Sequence, residues 1–150
     1  MRIYMDLCCL NRPFDDQAQD RVRLESEAIL YILSCCESGD WELVGSDVLE
    51  IEMARTRDLD KLAKIRDLYS LANHRLTVND DVVRRFDILQ RQGIGLKEFD
   101  CLHLALAETY HCNVLLTTDD NFIAAAQGTA PDMPVTEPIS WLLGMEAKYD

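Results

Sequence analysis

Asp6, Glu52, Asp100 and Asp119 are the residues of this chain best placed to act together. They fall at the end of a first strand, on a helix, in the first turn of an apolar helix, and just past a late strand, and an open α/β sheet gathers side chains from such places at one edge. A carboxylate cluster of that kind holds Mg²⁺ or Mn²⁺ against a phosphate, because hard cations take oxygen ligands and keep water and substrate phosphate in their other positions. The chemistry it supports is metal-assisted phosphodiester hydrolysis. One ion polarises the phosphoryl group and lowers the pKa of a bound water, and a second, about 4 Å away, stabilises the leaving oxygen. Four acids serve either count. Asp6 and Asp100 are expected as direct ligands, with Asp119 completing the site and Glu52 acting directly or through water.

The elements that must position these acids are legible around each one. Arg2-Ile3-Tyr4-Met5 reads as a short buried strand that delivers Asp6 to its carboxyl end. Val114-Leu115-Leu116-Thr117-Thr118-Asp119-Asp120 repeats that arrangement near the other end of the chain, so Asp6 and Asp119 become neighbours. Asp100 opens a run of helix formers with Leu102, Leu106 and Tyr110 at helical spacing. An acid in that first turn also suits the helix dipole. Ser46 or Asp47 caps a helix whose second turn carries Glu52, with Glu50 pointing away from it. Asp120 is expected to cap the last of these helices, leaving Asp119 for the metal. His103, one turn from Asp100, reads either as a contact of its carboxylate or as a partly buried polar residue on an apolar helix, the second being preferred.

Taken in order, four motifs between residues 3 and 122 resemble the PIN domain: the Asp at the first strand end, Ser46-x(5)-Glu52, Asp100-x-Leu102-His103-Leu104-Ala105, and Leu115-Leu116-Thr117-x-Asp119-x-x-Phe122. That family of metal-dependent ribonucleases includes the VapC-type toxins of bacterial toxin–antitoxin pairs. The resemblance implies a three-layer α/β/α domain with a central, mainly parallel sheet of four to five strands. It implies metal-site roles for Asp6, Glu52, Asp100 and Asp119, and supporting roles for Ser46 and Thr117. It further implies an RNA substrate, Mg²⁺ or Mn²⁺ as cofactor, an antitoxin partner, and a homodimer formed through apolar helix positions. Position 8 departs from the pattern: the family often carries Asn, Ser or Thr there, and this chain has Cys8.

Length and composition fit one domain, since 150 residues with 48% apolar content build a substantial core. Residues 1–130 are assigned to the nuclease-like domain and 131–150 to an extension packed on it. No apolar run approaches the ~20 residues of a membrane span, so a cytoplasmic location is expected. The cysteines, Cys8-Cys9, Cys35-Cys36, Cys101 and Cys112, lack zinc-site spacing and read as reduced, mostly buried thiols.

Alternating elements imply a parallel sheet covered on both faces. The expected order is strand 2–6, helix 18–36, strand 41–44, helices 47–57 and 59–72, strand 75–78, helices 80–92 and 97–111, strand 113–117, helix 120–127, an edge strand at Val135-Thr136 and a short apolar helix at 139–143. Asp15 and Asp16, after Asn11-Arg12-Pro13-Phe14, read as a turn leading to the first long helix, and of Asn11 and Arg12, both near Asp6 in the chain, Arg12 is the one expected to meet a substrate. Val22, Ile29, Leu33 and Cys36 form the buried stripe of the first long helix, with Glu25 outside it.

A net charge of −12 opposes nucleic acid at long range. Basic residues cluster at Arg55, Arg57, Lys61, Lys64 and Arg66, and at Arg84, Arg85, Arg91 and Lys97; they read as solvated helix faces, with no aromatic–basic platform for stacking single strands. RNA binding is therefore expected to be weak and salt-sensitive. A phosphatase would want an acid at position 8, and a phospho-receiver domain a mid-chain strand-end Asp with a late Lys; neither is here. The remaining rival is a catalytically idle PIN-like domain that binds a basic protein partner.

Overall fold

In the computed structural model, residues 1–92 and 94–149 are described, without the side chains of 147–149; Gly93, expected between two helices, lies outside them. The order is β1 (Arg2–Met5), α1 (Leu7–Asn11), a 3₁₀ turn (Arg12–Phe14), α2 (Asp20–Glu37), β2 (Glu42–Ser46), α3 (Asp47–Ala54), α4 (Leu59–Tyr69), β3 (His74–Leu76), α5 (Asp80–Gln92), α6 (Glu98–Thr109), β4 (Val114–Leu116), α7 (Asp120–Gln127), β5 (Val135–Thr136) and α8 (Pro138–Tyr149). The five strands form one parallel sheet in the order β3-β2-β1-β4-β5. Parallel neighbours need crossovers, and helices supply them.

The pleat of β1 divides the core. Ile3 and Met5 face one layer with Leu43, Val114, Leu116, Ile29, Ile32 and Ile65, while Tyr4 faces the other with Val44, Leu115, Leu104, Leu106 and Phe122. Helices α2 and α4 thus cover one face, and α5, α6 and α7 the other, which gives the three α/β/α layers. β1 is central, pairing with β2 and β4 in register Ile3↔Leu43 and Ile3↔Val114. Its carboxyl end therefore lies between those of β2 and β4, as the motif spacing predicts for Asp6 and Asp119.

Several expectations are corrected. Asp15 and Asp16 lie outside any helix, as expected, but residues 7–14 before them are helical, because Asp6 caps α1 through Cys9 N–H and Pro13 sits at the start of the 3₁₀ turn, where its missing N–H costs nothing. Helices expected at 47–57, 59–72 and 97–111 end earlier, at Ala54, Tyr69 and Thr109. The helix expected at 139–143 runs from Pro138 to Tyr149 and packs on α2, with Trp141 edge-on to Trp41 at 5.0 Å. All six cysteines are free, and Cys9, Cys36, Cys101 and Cys112 are buried.

Glu25 is buried, not solvated, with only 1% of it exposed. Arg12 and Arg21 both reach its Oε1, at 3.4 and 3.3 Å, yet neither of its oxygens receives a well-formed hydrogen bond. Burial raises its pKa and the two guanidiniums lower it. Glu25→Ala leaves the one-fifth-exposed Arg12 short of its main partner, and is expected to cost about 2 kcal/mol in urea unfolding. Arg21→Ala, at a side chain more than half exposed, should cost less than about 1 kcal/mol.

Candidate metal centre

Asp6 is buried where β1 ends, its backbone N–H donating to Leu116 of β4 at 3.2 Å and its Oδ1 accepting from Cys9 N–H at 3.2 Å. Burial drives its pKa from 3.8 to about 6; hydrogen bonds from Thr117 and Cys9 and the nearby His103 oppose the rise, and Asp100 adds to it. Asp100 stands in the first turn of α6 and is also raised to about 6, first by burial, then by Asp119 and Glu52, against the pull of His103 and Lys97. Acids from four separate elements are therefore close enough to disfavour one another's ionisation. Cys8, exposed beside them, has its thiol pushed up by burial of its sulfur and by all four.

Asp119 corrects one expectation. It, and not Asp120, is the N-cap of α7, its Oδ1 accepting from Asn121 and Phe122 at 2.9 and 3.3 Å, while Asp120 leans outward to Arg21 at 2.8 Å. An Asp at the strand end satisfies the first orphan donors of the helix with one oxygen and keeps Oδ2 free. Thr117, fully buried, accepts the Asp119 N–H at 3.1 Å and so fixes the strand-to-helix corner.

Glu52 is held by a buried chain of hydrogen bonds. Its Oε1 meets Nε2 of His103, whose Nδ1 lies 2.5 Å from the Tyr4 hydroxyl, which lies 2.8 Å from Ser46 Oγ. Ser46 caps α3, accepting Leu49 N–H at 3.0 Å, so its own hydroxyl hydrogen is free to donate to Tyr4. Tyr4 then donates to Nδ1 and Nε2–H is left for Glu52; a second proton on the ring would reverse the Tyr4 bond. His103 is thus 1% exposed and fully engaged with Glu52 and Tyr4, rather than partly buried and idle. Sequence periodicity missed this network because its members come from β1, β2, α3 and α6. Glu50, as expected, turns away, to Tyr69 and Arg75.

The donor set suits a hard cation, since it is all carboxylate oxygen and includes two acids whose ionisation burial and mutual repulsion disfavour. Asp119 Oδ2 and Glu52 Oε2 accept no hydrogen bond from a described residue, and Asp100 makes no side-chain hydrogen bond among them. Among the described residues, no three His, Cys, Asp or Glu side chains converge as they stand to hold an ion.

Two clefts flank the acids. One, of about 360 Å³, is lined by Leu7, Glu52, Arg55, Thr56 and Phe99. The other, of about 190 Å³, is lined by Cys8, Asn11, Arg12, Asp15, Lys61 and Thr118. Arg12 therefore does border the site, though Glu25 and Asp15 at 3.4 Å already take up part of its charge. In the first cleft Arg55 lies over the Phe99 ring, 4.8 Å from its centroid.

Comparison with known proteins agrees with this architecture. Solved structures that superpose include FitAcB from Neisseria gonorrhoeae, with a TM-score of 0.62 at 17% identity over 91% of this chain and 97% of that one. VapBC-1 from nontypeable Haemophilus influenzae gives 0.58 at 16% identity over 91% and 98%. VapBC2 from Rickettsia felis, bound to a DNA fragment from its promoter, gives 0.57 at 12% identity over 90% and 97%. A comparison with curated proteins returns no match. At such identities the structures speak to the fold alone. A family model, that of the PIN domain, matches residues 39–128, which is more than half of the chain and includes Ser46, Glu52, Asp100 and Asp119; this chain belongs to the PIN domain family.

Proposed function

We propose that the chain is a divalent-metal-dependent endoribonuclease, in which Asp6, Glu52, Asp100 and Asp119 hold Mg²⁺ or Mn²⁺. The observation that carries this reading is the gathering of four carboxylates from separate elements, the end of β1, α3, the first turn of α6 and the β4–α7 corner, in a chain of the PIN family; the mutual repulsion that helps raise Asp6 and Asp100 to about 6 supports it, since a cation relieves it. When bound, the ion supplies Lewis acidity to a phosphate oxygen and an activated water. The chain's own residues do the rest. Cys9 N–H holds the Asp6 carboxylate and nearby Thr117 favours its charged form, His103 holds Oε1 of Glu52 and leaves Oε2 without a hydrogen bond, and Asp119 is held through Oδ1 by its cap. Glu52 is the group best placed to orient a nucleophilic water.

Purified protein is expected to cleave single-stranded or structured RNA with Mg²⁺ or Mn²⁺ and to stop with EDTA; persistence in EDTA, abolished by a general RNase inhibitor, marks a contaminant. The net charge of −12 keeps RNA binding weak, and the phosphate contacts its Arg and Lys residues make render it salt-sensitive. The named toxin–antitoxin assemblies among the superposable structures favour a toxin role and a basic antitoxin partner. Exposed apolar residues such as Leu24, Leu30, Tyr31, Ile51 and Leu59 favour a homodimer, for which light scattering at tens of micromolar should give twice the chain mass. No described helix is long and apolar enough to cross a membrane.

A further inference from the structure

The cleft beside Glu52 has a composition that hydrolysis alone does not require. Its floor is apolar, from half-buried Leu7 and Phe99, and its rim is polar, from Glu52, Thr56 and Arg55. Leu7 follows Asp6, Phe99 precedes Asp100, and Glu52 is itself one of the four acids, so the cleft is lined by one acid and by the chain neighbours of two others. Arg55 is exposed, and it makes no ion pair with any described residue although Glu52 is one turn back on the same helix. It rests on Phe99 instead. Phe99 is already packed against the Tyr4-side core and does not need the guanidinium to hold it. In a chain of charge −12, a cation kept off its acids and supported by an aromatic ring is presented to something that arrives.

We infer that this cleft is a nucleobase subsite, in which an unpaired base next to the cleaved phosphate of a single-stranded RNA stacks on the Arg55–Phe99 pair. A base has an apolar face for the guanidinium plane and the ring, and polar edges for the rim, and unpaired bases are recognised in this way by stacking on aromatic and Arg planes. The cavity of about 360 Å³ is within the range of small-molecule pockets. Stacking there contributes attraction that does not depend on net charge, which offsets the repulsion between an acidic chain and RNA, and it favours unpaired over duplex substrate. The inference rests on the nuclease reading.

The test uses the full chain and RNA 8-mers that it cleaves, with an abasic residue moved one position at a time and the cut site mapped. One position next to the cut should be sensitive, with kcat/KM falling about 5- to 100-fold when its base is removed. Phe99→Leu should lower cleavage of the intact strand by a similar factor and lose the abasic effect, since both changes remove the same interaction. Arg55→Gln, at the surface and safe for folding, should behave likewise and serves if Phe99→Leu folds poorly. With Ca²⁺ replacing Mg²⁺, 2-aminopurine at the sensitive position should be quenched on binding the unaltered chain and not the Arg55→Gln chain. A flat abasic scan with active enzyme, or an abasic loss of equal size in the variants, overturns the subsite and leaves the nuclease standing. Absence of any cleavage by the unaltered chain overturns both.

Discussion

Asp100→Asn should melt at a higher temperature than the unaltered chain in EDTA at pH 7, gain little on addition of Mg²⁺, and cleave RNA more than about 100-fold more slowly. The three effects have one origin. Asp100 is held at a pKa of about 6 by burial and by Asp119 and Glu52, so at pH 7 its ionised form is maintained against the fold. Asparagine keeps the shape and removes the charge, which also relieves Asp6. For a fully buried acid, a rise from 3.8 to about 6 corresponds to roughly 3 kcal/mol at pH 7. Asp100 is partly exposed and its share is smaller, about 1–2 kcal/mol.

The pH dependence follows from the direction of the shift. A carboxyl whose folded pKa exceeds its unfolded one binds its proton more tightly in the native state, so its favourable contribution is present below pH ~4 and is lost as pH rises through about 6. The melting curves of the Asn variant and the unaltered chain should therefore nearly coincide at pH 4 and separate most above pH 6, both in EDTA. In the unaltered chain Mg²⁺ should restore stability, by about 2.7 kcal/mol at 100 times its dissociation constant. An equal Mg²⁺ response in the variant would remove Asp100 from the metal site. A loss of stability in EDTA, as for a simple solvated or capping Asp, would remove the repulsion argument.

What the sequence made legible was local. Each acid lies beside a strand or a helix start whose pattern spans a few residues, and the parallel sheet follows from strands alternating with helices. Illegible features were those made by residues far apart in the chain. Glu25 looks like any helix-surface acid until Arg12, thirteen residues earlier, is folded onto it. Arg55 comes to lie over Phe99 across forty-four positions, between the end of α3 and the start of α6. Asp119 and Asp120 are adjacent and both fit a cap; the choice was settled by Arg21, whose reach to Asp120 no local rule contains. The α1 turn escaped because five residues are too few to show helical periodicity.

His103→Leu is expected to weaken Mg²⁺ binding and cleavage by about 10- to 100-fold, although His103 is not itself placed as a ligand. Its ring joins Glu52 to Tyr4 across the interface of α6 with α3 and β1, and it is 1% exposed. Leucine fills similar volume but offers Glu52 nothing, and the carboxylate then samples rotamers that face away from the site. Tyr4 keeps its bond to Ser46, so the stability cost should stay within about 1–3 kcal/mol. Tyr4→Phe tests the outer link: the ring still packs, Nδ1 loses its partner, and the effect on Mg²⁺ affinity should be smaller than that of His103→Leu. Isothermal titration with Mg²⁺, run beside urea unfolding, separates positioning from packing. A lowered unfolding free energy with unchanged Mg²⁺ affinity would make His103 a structural residue alone, whereas the expected graded loss, His103→Leu greater than Tyr4→Phe, follows only if the buried chain from Ser46 to Glu52 holds that carboxylate toward the metal.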